Sequence, residues 1–240
     1  MKKLICTAAL LAALAGGAFA APVLKVGTES TYPPYEFIGP SGKLEGFDVE
    51  LAEAVAAKLG MEVQWQDMAF DALIPALLTK KIDMIAAGMS ATEERAKRVA
   101  FSIPYEESVS AFITRPDGPK SIEELKGKIV TVQLGTIQDT FADSMEGVTV
   151  KKFQKYDDCV REVVLGRADA SLMDVPVAKD YVKSEQFGGK IALFEQKIST
   201  GDKALAMSKD APELKEKVDA ALKAMEADGF LQALKDKWFK

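Results

Sequence analysis

The chain has 240 residues and no histidine among them. That single absence removes a Ser-His-Asp triad, a Cys-His pair and His-ligated zinc. The glycine motifs that cradle phosphates and dinucleotides, GxxxxGK[ST] and GxGxxG, are missing, and so is the GxSxG nucleophile elbow. Any enzymatic chemistry would have to rest on carboxylates, lysine, tyrosine or serine. Cysteine is scarce, with only Cys6 and Cys159. Basic charge is in deficit, 31 Lys and Arg against 36 Asp and Glu. That argues against nucleic acid as a partner, because phosphate backbones reward clustered basic residues. Beyond the first residues no apolar run approaches the ~18 residues of a membrane helix.

What is present begins with "MKKLICTAALLAALAGGAFAAPV". Lys2 and Lys3 precede a short apolar stretch, and Ala18-Phe19-Ala20 has the small-x-small pattern of a signal-peptidase site. Residues 1–20 therefore read as a cleaved signal peptide and Ala21 as the first residue of the mature chain. Cys6 lies too early to be a lipidation point. Cleavage takes two lysines and leaves 220 of the 240 residues, with 29 basic and 36 acidic side chains, a net charge of −7. The expected product is an exported, soluble protein of the periplasm. Cys159 has no partner for an internal disulfide, and 220 residues suffice for one large domain or two lobes held by their own core.

Strand-like and helix-like segments alternate along the chain. "PVLKVGT" reads as a strand and "GFDVELAEAVAAKLG" as a helix, with Val49, Leu51, Val55 and Leu59 on one face and Gly60 as its stop. "MEVQWQ", "FDALIPALLTKK", "IDMIAAG", "TEERAKRVA" and "SVSAFITR" continue as strand, helix, strand, helix and strand. "SIEELKG" carries a capping-box pattern, Ser121 with Glu124. A second series then starts near residue 127: strand "KIVTVQL", a helix from Ile137, strand "VTVKKF", helix "DDCVREVVLG", strand "ADASLM" and helix "VPVAKDYVKSE". "ALAMS" is a last strand. A long helix capped by Asp210, with Pro212 in its first turn, and a short helix end the chain. This order predicts an α/β fold of parallel strands with helices on both faces, in two similar lobes. Crossovers are expected near "SVSAFITR" and "STGDKALAM". The predicted division is residues 21–108 with 202–240 as one lobe and 109–201 as the other.

Open α/β sheets bind ligands beyond the carboxyl ends of their strands. The loops there hold Glu29, Tyr32 and Tyr35 after the first strand, Phe70 after the second, and Met89, Ser90, Thr92 and Arg95 after the third. Gly135, Thr136, Ile137 and Gln138 follow "VTVQL", and Asp174 follows "ADASLM". Acids, helix-start hydroxyls, one arginine and aromatic rings together suit a small zwitterion. A carboxylate favours a bidentate guanidinium and free N–H groups, and an ammonium favours a carboxylate with a hydroxyl or carbonyl.

Three stretches, "GFDVELAEAVAAKLG", "FDALIPALLTKKIDMIAAGMSATEERAKRVAFSIPY" and "LQALKDKWF", resemble the polar amino-acid group, of family 3 type, of periplasmic solute-binding proteins, the capture subunits of ABC importers. The likeness runs in order over residues 23–239. It implies the type II fold of two α/β lobes joined by two crossover strands that act as a hinge. It also implies a small-molecule amino-acid ligand, a membrane permease as partner, a monomer, and no cofactor, metal or enzymatic activity. By this resemblance Arg95 takes the ligand α-carboxylate, and Ser90 and the backbone around Gly88 supply further donors. Asp174 takes the α-ammonium, and Tyr32 and Phe70 form aromatic walls. Where the family often has Gly-Ser-Thr or Gly-Thr-Thr, this chain has Gly135-Thr136-Ile137. The second-lobe contact to the carboxylate must then use the Ile137 backbone N–H or shift to Thr136.

Each of these residues also has an ordinary structural role open to it. Arg95 would sit on a charged helix face where Glu94 and Arg98 pair. Asp174 or Ser90 would cap a helix, Phe70 would staple one, and Tyr32 would pack on Pro33-Pro34. Met89 reads as packing, Tyr35 and Phe37 as core, and Cys159 as inert. Glu29 bears on ligand choice, since the family's basic amino-acid binders carry an acid there; the alternative places it at the rim, facing water. Arginine is the first expectation, with lysine and ornithine weaker and cystine or glutamine as rivals. A dehydratase-like enzyme built on the same fold is the alternative of another class.

Overall fold

The computed structural model describes residues 21–240; the signal peptide expected over residues 1–20 lies outside the described residues. In chain order, β1 (Val23–Thr28), β2 (Thr31–Tyr32), β3 (Glu36–Ile38) and β4 (Leu44–Glu45) precede α1 (Phe47–Lys58). Next come β5 (Glu62–Asp67), α2 (Phe70–Leu78), β6 (Met84–Ile85), α3 (Glu93–Ala96), β7 (Ala100–Phe101) and β8 (Glu106–Thr114). The second series runs β9 (Ile129–Gln133), α4 (Ile137–Asp143), β10 (Thr149–Phe153), α5 (Tyr156–Val164), β11 (Ala170–Asp174) and α6 (Val175–Lys183). It closes with β12 (Ala192–Lys203), β13 (Ala206–Met207), α7 (Pro212–Ala227) and α8 (Phe230–Phe239).

Two five-stranded sheets form the lobes, in the orders β5-β1-β6-β13-β7 and β10-β9-β11-β8-β12. The expected parallel pairing holds for β5-β1-β6 and β10-β9-β11. The remaining strands run antiparallel: β13 to both β6 and β7, and β8 to both β11 and β12. Only strands joined through a crossover helix must be parallel. Strands β7, β8, β12 and β13 enter or leave at the passages between lobes, so no such helix dictates their direction. The two passages lie side by side, where Tyr105 N–H donates to Lys203 O at 3.0 Å and Ala204 N–H to Met89 O at 3.0 Å.

Sequence periodicity explains most elements. Helix α1 buries Phe47, Leu51 and Val55, and Gly60 follows it at φ +68°. Helix α5 buries Tyr156, Cys159, Val160 and Val163 at helical spacing. Phe47 is fully buried and meets Phe239 of α8 at 4.8 Å between ring centroids; burying a side chain of this size contributes about 1.5–3 kcal/mol. Some local expectations shift. Helix α3 is a single turn, because Ala100–Phe101 is drawn into the sheet. Ser121 and Glu124 form no capping box: the segment is a 3-10 turn, Glu123–Leu125, without a side-chain cap, and Glu124 accepts the Lys120 N–H instead. Helix α7 is preceded by Ala211, not capped by Asp210. The opening loop folds into a small antiparallel sheet, β2-β3-β4. Tyr35 is core, while Phe37 is only half-buried, edge-on to Trp238.

Candidate functional site

The carboxyl ends of β1, β6, β9 and β11 converge between the lobes on one small cavity of about 10 Å³. Glu29, Tyr32, Phe70, Gly88, Ser90, Arg95, Thr136, Ile137, Gln138 and Asp174 line it. Met89 does not: it is buried in the cluster beneath α2 and lines only the wider outer cleft, about 670 Å³. Four residues that the sequence reading missed, Glu36, Ala87, Gln133 and Lys203, complete the wall.

Arg95 reaches the cavity from α3, whose N-cap is Thr92; the Thr92 hydroxyl accepts the Arg95 N–H at 3.2 Å. Ser90 is therefore not the cap. The Arg95 guanidinium donates to Ser90 O at 2.8 Å and, across the cleft, to Gly135 O at 3.1 Å. Phe70, the first residue of α2, lies under it at 5.3 Å, a cation–π arrangement. Burial lowers the Arg95 pKa to about 10, which leaves it charged at neutral pH. The pairing of Glu94 with Arg98 does not form; Glu94 pairs with Lys97 at 2.7 Å.

Glu29 is 2 % exposed, so it does not face water at the rim. Its carboxylate accepts from Gln133 Nε2 of the other lobe at 2.7 Å and from the Thr31 hydroxyl at 2.9 Å. Burial raises its pKa to about 7, against the opposing pull of those two donors. Tyr32 is less of an aromatic wall than expected. Tyr35 and Tyr156 stack on it at 5.4 and 5.0 Å, and its hydroxyl donates to Asp174. It therefore presents an edge and a hydroxyl to the cavity.

Gly88 adopts φ +51°, and a Cβ there would stand 2.8 Å from Tyr32 Cε1. Only glycine lets the loop pass so close to the ring. Asp48, fully buried in the first turn of α1, accepts the Gly88 N–H at 2.7 Å and the Tyr105 hydroxyl at 2.8 Å. This fixes the peptide and points the Gly88 carbonyl to the site. Burial raises Asp48 to about 6 and holds Glu36 well above the usual carboxylate range.

From the second lobe, Thr136 caps α4: its hydroxyl accepts the Asp139 N–H at 3.1 Å and donates to Gln133 O at 2.8 Å. That hydroxyl is thus engaged on both sides. Asp174 ends β11 at the start of α6 but makes no side-chain cap bond. Its carboxylate faces the cavity, accepting from Gln138 Nε2 at 2.9 Å, from Lys203 Nζ at 2.6 Å and from Tyr32. Lys203 also donates to Gly88 O at 2.7 Å.

Gln133 and Lys203 were visible as polar residues beside apolar strand runs, "IVTVQ" and "KALAM", but nothing local says where such a side chain points. Cys159 is buried, its thiol pKa pushed up by burial. Among the described residues no group of three or more His, Cys, Asp or Glu side chains is arranged to hold a metal, and no helix is long and apolar enough to cross a membrane.

Residues 24–240 match the family of bacterial extracellular solute-binding proteins, family 3. The "ABC transporter arginine-binding protein 1" of Escherichia coli K12 is 34% identical over 246 aligned residues, covering 100% of this chain and 99% of that protein. The "L-cystine-binding protein TcyJ" of the same strain is 34% identical, covering 90% and 82%. Among solved structures, an ancestral arginine-binding protein bound to arginine superposes with a TM-score of 0.86 at 42% identity, covering 91% of this chain and 98% of that one.

Proposed function

Since the chain belongs to the bacterial extracellular solute-binding proteins of family 3, we propose that it captures a free L-amino acid with a cationic side chain and hands it, unaltered, to the permease of an ABC importer. Arginine is the first ligand, lysine and ornithine weaker ones. The chain works outside the cytoplasm as a monomer. Arg95, with the Ile137 N–H opposite, takes the α-carboxylate; Asp174 and the Gly88 carbonyl are the acceptors for the α-ammonium. Residues 21–108 with 202–240 form one rigid body and 109–201 the other. They turn about the paired crossover strands, and ligand that touches both favours the closed arrangement.

The observation that carries the choice of a cationic side chain is Glu29. It is buried in the cavity, and its hydrogen bonds come from the neutral groups of Gln133 and Thr31. A buried carboxylate is costly without a cation, and a guanidinium supplies one with two parallel donors. A glutamine zwitterion would leave that acid without a positive partner, and cystine, whose far end carries a carboxylate beside its ammonium, would bring a second negative charge next to it. Thermal unfolding of the mature chain against the common amino acids plus ornithine, citrulline and cystine tests the reading. Arginine should give the largest rise in Tm, as a tight ligand of the native state must. Arg95→Ala should lower arginine affinity by roughly a hundredfold or more, because a buried carboxylate is left unpaired. A larger shift with cystine or glutamine than with arginine would overturn the ligand choice. Release of aromatic product from prephenate or arogenate would overturn the non-enzymatic role.

A further inference from the structure

Lys203 stands at the end of β12 with its side chain 1% exposed. Backbone pairing holds its position: it bridges Ser90, pairs with Glu106 and accepts the Tyr105 N–H. Its ammonium lies 2.6 Å from Asp174 Oδ2 and 2.7 Å from Gly88 O, and 5.3 and 5.8 Å from the centroids of Tyr35 and Tyr32. A lysine buried this deeply persists only where an anion and further acceptors meet it, and here they do.

On the ligand orientation given above, those same two acceptors, the Asp174 carboxylate and the Gly88 carbonyl, are the ones a ligand α-ammonium requires. Lys203 already presents the same –NH₃⁺ group to both. Two consequences follow from elementary electrostatics. A carboxylate ligand without an α-ammonium leaves no unpaired acid behind, because Asp174 keeps its cation. A ligand with an α-ammonium must share Asp174 with a second positive charge or displace it.

We propose that Lys203 is a specificity-determining residue that supplies the ammonium of the site. By this assignment the cavity admits carboxylates bearing no α-ammonium, such as des-amino analogues of amino acids, and holds amino acids less tightly than it would without Lys203. The assignment rests on the reading that Arg95 receives the ligand carboxylate in this cavity.

Calorimetry on the mature wild-type chain and on Lys203→Met tests it, with arginine and 5-guanidinopentanoic acid as one pair and glutamine and glutaramic acid as another. Each pair differs only in the α-ammonium. Lys203→Gln, which retains a donor for Gly88 O, serves as the second variant should Lys203→Met not fold. In the wild type the des-amino compound should bind within about tenfold of its amino acid, whereas sites that read a polar group reject the analogue lacking it by about 10⁴-fold. In the variants the amino acid should gain about tenfold and the des-amino compound lose about tenfold, moving their ratio about a hundredfold. A purely structural lysine would weaken both members of a pair alike. A ratio unchanged by either substitution, or a wild-type preference for the amino acid of about a thousandfold or more, overturns the proposal. If the arginine pair fails to bind but the glutamine pair shows the inversion, the arginine reading falls and the Lys203 assignment stands. If no compound binds any of the proteins, both fall.

Discussion

Glu29 has a pKa of about 7 because burial outweighs the hydrogen bonds from Gln133 and Thr31. A guanidinium beside it would restore the usual carboxylate range. Arginine uptake below pH 7 must then expel the proton that Glu29 holds in the free protein. Affinity for arginine should therefore fall as pH falls through 7, by up to about tenfold per pH unit. Arg95, at about 10, stays charged throughout and contributes no slope in that range. Glu29→Gln should flatten this dependence and weaken arginine by roughly a hundredfold, while a neutral amino acid changes by less than about threefold. Titration calorimetry from pH 5.5 to 8 measures both; equal losses for arginine and a neutral amino acid would remove Glu29 from ligand selection. The acid at 29 was legible because it directly follows a strand. Its partner Gln133 was not, since the bond joins residues 104 positions apart and no local pattern encodes such a pairing.

At the level of elements, the short connections after strands place the site, and the one between β9 and α4 is the most constrained. Gly135 adopts φ +80°, and a Cβ there would lie 2.9 Å from Asp71 Cβ on α2 of the other lobe. Its carbonyl accepts the Arg95 guanidinium. Gly135→Ala should force the lobes apart and strain the turn, at a cost of about 1–3 kcal/mol, so ligand affinity should drop roughly 10–100-fold. Circular dichroism should remain that of the parent, since each sheet is untouched; unaltered affinity would argue against this close approach. Helices such as α1 and α5 were readable because one face alone buries its apolar residues at regular spacing. The sheet β2-β3-β4 was not, because "GTESTYPPYEF" has two- and three-residue strands too short to show any period. The stacking of Tyr35 and Tyr156 on Tyr32 was hidden for a different reason: it unites residues from both halves of the sequence.

For the whole molecule, several carboxylates buried between or beneath the lobes share one sign of shift. Burial raises Glu29 and Glu106 to about 7 and Asp48 to about 6. A folded pKa above the unfolded one means that folding takes up protons, so this contribution is complete below about pH 4 and is lost as pH rises through 6 to 7. Exposed acids with lowered values, such as Glu94 and Asp236, are ionised throughout the range above pH 5 and do not oppose it there. The Tm of the ligand-free protein should therefore fall between pH 5.5 and 8, on the order of 5 °C for a chain of this size. Scanning calorimetry that finds a flat or rising Tm would contradict the burial of these acids. The two-lobed α/β organisation was legible from the restart of the β–α alternation near residue 127. The antiparallel half of each sheet was not, because strand direction at a passage between lobes follows from tertiary assembly alone.

The place of β13 has a consequence for how the chain matures. It lies between β6 and β7 in the first sheet although it begins at residue 206, so that sheet stays split until nearly the last segment has emerged. The second sheet draws only on residues 106–203 and is complete earlier. A chain growing from its amino end thus holds every strand of its second sheet before the first sheet receives β13. A chain ending at residue 205 would therefore leave β6 and β7 without the strand that joins them, while the second sheet keeps all five of its strands.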